Sequence, residues 1–270
     1  MNYSTVGLHS NLRRAFLSLL MCATAISAAD AAPQSDRKEV VGRARQRYYN
    51  LRQQGLIEFQ TNIKPNWELL LMGIESNARA IKLLNGVHFS MSIDSESKFR
   101  MDHHADITPP DQKSADRFDR IFKYMDEAVS RFVATWSIFM LTSPFPRIES
   151  DYEVIEVAGQ YHFSHKDGAT DVLTITDKDF MIIEIKVSAA GVDASLKPVL
   201  EKTAQGFILK GYAANYETPS GARNTQLIVR LDYQEISGLQ LLRKVNLDTV
   251  YEGKPAQIEW LFTDYRVKVR

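Results

Sequence analysis

Leu239-Gln-Leu-Leu-Arg-Lys-Val-Asn-Leu-Asp-Thr-Val-Tyr251 and Ala256-Gln-Ile-Glu-Trp-Leu-Phe-Thr-Asp-Tyr-Arg-Val-Lys-Val269, joined by Glu252-Gly253-Lys254-Pro255, read as a strand, a turn and a returning strand. Leu239, Leu241, Arg243, Val245, Leu247, Thr249 and Tyr251 fall on one side of the first strand. Gln240, Leu242, Lys244, Asn246 and Asp248 fall on the other. Near-strict alternation marks a sheet with one apolar and one wet face. The glycine of Glu252-Gly253-Lys254 suits the reversal. On the return, Ile258, Trp260 and Phe262 point inward, after which Tyr265, Val267 and Val269 continue with the opposite numbering. A β-bulge near Asp264 restores the inward face. A long curved antiparallel sheet follows, with a concave side that must be filled.

Further upstream the pattern stays mostly β. Thr225 to Ile236 alternates, and Phe207 to Tyr216 is a strand with Gly211 at a bend, the two joined by the turn Thr218-Pro219-Ser220-Gly221. Tyr152 to Val157, Tyr161 to His165, Val172 to Thr176 and Phe180 to Ser188 read as a meander, and Ala189 to Gln205 as an irregular excursion with a short helix. Thr108-Pro109-Pro110-Asp111 opens a helix that Ser143-Pro144-Phe145-Pro146 stops. It is about 45 Å long at 1.5 Å per residue. Phe118, Phe122, Met125, Val129, Phe132, Trp136 and Met140 recur every three or four residues along it, Phe139 widens the stripe, and a bend is expected near Ala134-Thr135. Ahead of it come a helix over Asp36 to Arg52, with Val40, Val41, Ala44, Tyr48 and Leu51 on one face, and a strand over Leu56 to Ile63. Trp67 to Met72 reads as its return strand, Glu75 to Leu84 as a short helix, and Val87 to Ile93 with Lys98 to His103 as a hairpin. The expected fold is α+β: a single curved antiparallel β half-barrel over residues 32–270, closed by an N-terminal helix and a long central aromatic helix.

The first 31 residues read as a signal peptide. Arg13-Arg14 forms a basic region, Ala15 to Ala28 is apolar but too short to span a bilayer, and Ala29-Asp30-Ala31 is a small-residue cleavage site. Leu19-Leu20-Met21-Cys22 has the outline of a lipid-attachment site, but Met21 is bulky where a small residue is needed, which disfavours an anchor at Cys22. Losing Arg13, Arg14 and Asp30 from 33 basic and 33 acidic residues leaves a net charge of −1. Such a surface has no field to gather nucleic acid. Cys22 is the sole cysteine, so the mature chain holds no disulfide and depends on its core. No later run reaches the length of a transmembrane helix. A periplasmic protein without a membrane span is expected.

In layout the chain resembles the LolA/LolB-type carriers of lipoproteins and lipids. The likeness rests on Gly238 to Leu247, the Tyr251-Glu252-Gly253-Lys254 turn, and Ile258 to Val267 with its Phe262-Thr263-Asp264-Tyr265. It covers about the last 32 residues in detail, and the signal peptide and leading helix accord with it. The central helix is longer and more aromatic than in the simplest members. The resemblance implies an open half-barrel whose helices close an apolar cavity over a lipid or lipoprotein acyl chain.

Phe118, Phe122, Met125, Phe132, Trp136 and Phe139, with Trp260, are the candidate ligand-lining residues; the same residues also suit a filled core. No catalytic residue, cofactor or metal is expected. Glu184-Ile185-Lys186, with Asp171 or Asp179 upstream, has the spacing of a metal-dependent hydrolase, but Glu184 and Lys186 alternate with Ile183, Ile185 and Val187 as the wet face of a strand. Asp102, His103, His104 and Asp106 would suggest a metal, except that adjacent strand residues point to opposite faces, so His103 and His104 do not meet one ion. His162 and His165 differ in parity too. Three functions follow in order: a carrier of a lipid or acyl chain; a non-enzymatic envelope module with a filled core that recognises a protein partner; and, remotely, the hydrolase.

Overall fold

The computed structural model describes residues 34–70, 78–106, 108, 111–189, 191–217, 225–251 and 254–270. The signal peptide, Cys22, Gly253 and the Thr218-Pro219-Ser220-Gly221 turn lie outside them. The order is α1 (Gln34–Gln46), β1 (Leu56–Pro65), α2 (Trp67–Leu70), α3 (Ala78–Leu84), β2 (Val87–Ile93), β3 (Phe99–Ala105) and α4 (Gln112–Met140). Nine strands follow: β4 (Tyr152–Val157), β5 (Gln160–Asp167), β6 (Thr170–Thr176), β7 (Ile182–Ala189), β8 (Val192–Thr203), β9 (Gly206–Glu217), β10 (Thr225–Ile236), β11 (Leu239–Tyr251) and β12 (Lys254–Val269).

Among the described residues the fold is α+β: twelve strands in one open antiparallel sheet, ordered β3-β2-β1-β12-β11-β10-β9-β8-β7-β6-β5-β4, with few helices. From β4 to β12 each strand pairs with the next in sequence. β1 then docks on β12, bringing β2 and β3 with it. α4 joins one edge strand, β3, to the other, β4. Its apolar stripe is buried against the sheet in one continuous core. Asp111 caps its N-terminus by accepting a 2.7 Å hydrogen bond from the Ser114 N–H. The helix runs unbroken through Ala134 and Thr135, so the expected bend is absent.

The bulge expected near Asp264 is present. Asp264 has φ +56°, and the β1–β12 register slips between Gln60↔Arg266 and Asn62↔Thr263. Asn62 Nδ2 and Thr263 Oγ1 donate to the Asp264 carboxylate at 3.0 and 2.8 Å, and these bonds hold its pKa below the ordinary value. Beyond the slip, Tyr265 and Val267 pack against the core.

Other expectations are corrected. The leading helix stops at Gln46, because the next residues join the sheet side of the molecule: Phe207 N–H donates to Arg47 O, and Tyr49 N–H donates to Phe207 O. Tyr48 OH sits between Phe180 O (2.9 Å) and Ile182 N (2.8 Å), so Tyr48 is buried without being helical. Gly206 makes this approach feasible: with φ +120°, a Cβ there would stand 2.8 Å from Arg47 O and from Tyr49 N. Trp67 begins the short α2 rather than a return strand, with its ring against Phe89. Ala189 to Gln205 is mostly the regular strand β8. β7 covers it only from Val192 to Leu196, so Pro198 falls where one side of β8 is unpaired, a position proline tolerates. On β11 the register against β10 slips at Arg243, which is exposed, while Leu242 is fully buried; the two were expected the other way round. On β7 a slip leaves Ile183 exposed and Ile182 buried.

Candidate functional site

The residues read as cavity-lining come together beneath α4. Trp136 and Trp260 are fully buried, Phe118, Met125, Phe132 and Phe139 are buried, and Phe122 packs partly buried against the same core. Phe122 stacks on His103 (centroids 4.2 Å) and meets Phe89 edge-on at 6.0 Å. About three and four turns further on, Phe132 meets Trp260 at 5.8 Å and Trp136 meets Phe59 at 6.4 Å, both edge-to-face. α4 thus reaches from β2 and β3 across β1 and β12. Trp136 Nε1 then donates to Tyr233 OH on β10 (3.3 Å), and Tyr233 OH donates to Leu209 O on β9 (2.6 Å). Burial pushes the Tyr233, Tyr265 and Tyr212 phenols far up, so each stays a neutral hydrogen-bonding group. Trp260 Nε1 is buried with no hydrogen-bond partner among the described residues, a donor inside the apolar layer whose desolvation is not repaid.

A groove of about 750 Å³ lies elsewhere, over β4 to β9. None of the seven aromatic and methionine candidates lines it. Tyr152, His165, Val172, Val187 and Ala194 form one lateral row of it, each opposite the next across the strand pairs. By register this row shares a face with the core row Val154, Phe163, Thr174, Ile185 and Leu196, two residues away along each strand. Tyr152 OH and His165 Nδ1 are buried there without partners among the described residues. Burial lowers the His165 pKa, opposed by Asp167, and so favours the neutral ring. The remaining lining residues include charges already engaged with each other, such as Lys166 with Asp171 (2.9 Å). Sequence reading missed the groove, because a row across five strands leaves no trace in local spacing.

Glu184 and Lys186 pair with each other at 3.6 Å on β7, and Asp171 pairs with Lys166 instead of joining them. His103 and His104 point to opposite sides of β3: His103 lies on Phe122, while His104 stacks with His88 of β2. No helix among the described residues is long and apolar enough to cross a membrane. Comparison of the chain with family models, curated proteins and solved structures finds no match.

Proposed function

We propose that the chain is a non-enzymatic envelope protein of the LolA-like half-barrel type that shelters a lipid or lipoprotein acyl chain against the apolar face of its sheet, with α4 as the lid. The observation that supports this is the way α4 is held. Its contacts with the sheet are an aromatic layer with a sparse set of polar ties, of which Trp136 to Tyr233 is the clearest. Withdrawing it uncovers a continuous apolar trough, and an acyl chain laid there regains about 0.8 kcal/mol per buried CH₂. The unpartnered Trp260 N–H offers a donor to a carboxyl or ester oxygen, and the groove continues the same face toward β4.

A carrier must bury its own apolar site when empty, since a large exposed apolar patch is a liability in water. The packed arrangement of Trp136 on Phe59 fits that closed state. Only the open fraction binds, so the lid lowers apparent affinity by that fraction. The test is a titration with a fluorescent fatty acid, paired with mass spectrometry of lipid extracted from protein purified out of the envelope. Saturable binding by the wild type, changed in Trp136→Ala and Phe132→Ala by more than their melting temperatures shift, supports the reading. No saturable binding and no extracted lipid overturns it. The filled-core module that recognises a protein partner is then the better account, and full burial of Trp136 and Trp260 already favours that second reading.

A further inference from the structure

We infer that His88, His104 and Asp106 form a divalent metal site of the zinc class on the outward face of the β2–β3 hairpin. His88 and His104 stand directly opposite each other on neighbouring strands, in a register that runs from Val87↔Ala105 to Ile93↔Phe99. Asp106 follows the strand, and its N–H donates to Gly86 O at 2.9 Å, which extends the ladder and brings the carboxylate back over the two rings. One Asp106 oxygen lies 2.7 Å from His88 Nε2 and the other 3.8 Å from His104 Nε2. The rings stack with centroids 4.8 Å apart and planes 23° apart, so both Nε2 atoms address one carboxylate. One ligand atom from each residue falls within 4.8 Å of the others. In a tetrahedral zinc site, donors about 2.0–2.1 Å from the metal stand about 3.3 Å apart. Placing the ion takes rotation of the Asp106 carboxylate and of both imidazoles, whose stacked planes must turn so that the two Nε2 atoms converge, with the fourth position left to water.

The backbone carries most of the preorganisation. The strand register sets the two histidine backbones opposite each other, so binding has only side-chain rotations left to fix, unlike histidines gathered from loops. Two imidazoles and one carboxylate suit zinc, and also copper or nickel, better than calcium or magnesium, which take oxygen ligands. The site lies on the opposite face of β3 from His103, which packs on Phe122 under α4, so it is separate from the proposed lipid site. Bound metal would staple the edge strand β3 to β2 at the end that leads toward α4.

The test uses tag-free protein stripped with chelator and titrated with Zn²⁺ by calorimetry, with Co²⁺ absorption as a reporter of four-coordinate geometry. One saturable Zn²⁺ site per chain is expected. His88→Ala and His104→Ala each weaken it by at least about tenfold, the least that even a supporting partner of a metal ligand usually costs. All three side chains are exposed, so both variants melt as the wild type does; His103→Ala keeps the wild-type affinity. Absence of saturable Zn²⁺ binding, or affinity that survives the His88→Ala/His104→Ala double change, overturns the assignment. Fatty-acid binding is read separately in the same preparations, so failure of one proposal leaves the other standing.

Discussion

At the scale of single residues, Leu242 and Arg243 show where alternation misleads. A strand read by parity puts Arg243 with Leu241 and Val245, yet Arg243 is exposed beside Asp232 (3.4 Å) and Leu242 is fully buried. The bulge at Arg243 breaks the pairing, and β11 meets β12 only from Lys244 onward. At the hairpin tip beyond it both faces are covered, since Leu239 and Leu241 are buried as well as Leu242. Odd-numbered apolar residues on both sides of the bulge hid it. The Asp264 bulge was legible because the apolar parity changes there and stays changed. Leu242→Ala should cost about 2–5 kcal/mol in urea unfolding, and Arg243→Ala within about 1 kcal/mol, as for an exposed ion pair. A second residue-scale outcome concerns acid. His165 resists protonation in the fold because of burial, while the unfolded chain takes up a proton below about pH 6.5. Its contribution is therefore present above that pH and is lost as pH falls through the lowered folded value. His165→Gln should flatten the acid side of the melting temperature against pH relative to wild type.

At the scale of elements, α4 was the most legible part of the chain. A capping aspartate, a proline stop and a stripe of aromatics at helical spacing all agree, and tertiary structure had nothing to override. Trp136→Ala should cost about 3–5 kcal/mol in a packed site, whereas Tyr124→Ala, on the exposed side of the same helix, should fall within about 0.5 kcal/mol. Denaturant melts of the two variants check this. α1 and β8 were less legible for a shared reason. Tyr48 leaves the helix to bridge Phe207, far away in sequence, and β8 is ordered by β9 rather than by its own weak alternation. Neither partner is visible in a local window. The same holds for His88: its partner in the candidate metal cluster is set by a cross-strand register, whereas the sequence shows only the neighbouring His103 and His104. The stripe named the residues under the lid; local spacing says nothing of whether the space among them is filled.

At the scale of the whole molecule, one sheet carries one core, and the connection through α4 spans its two edges. The segment before residue 34 tests the proposed envelope location: N-terminal sequencing of protein recovered from the envelope should begin at or near Ala32, and an intact Met1 would refute it. The second whole-molecule prediction concerns β12, which is paired on both sides, by β11 and β1. Deleting residues 254–270 should abolish cooperative unfolding rather than trim it, because among the described residues β12 is the strand through which β1, β2 and β3 pair with β4 to β11. Circular dichroism through a urea series shows the difference.

The seam between β1 and β12 also fixes when this chain can fold. Thr61 on β1 donates to Thr263 O, a partner 202 residues along the chain. Contacts of such range make the closure slow, since the loop entropy is lost before pairing returns anything. As a ribosome releases the chain, β1 stays without its β12 partner until residues 254–269 have been made. Until then the sheet is incomplete and the polypeptide pliable, the state that the proposed export to the envelope would require.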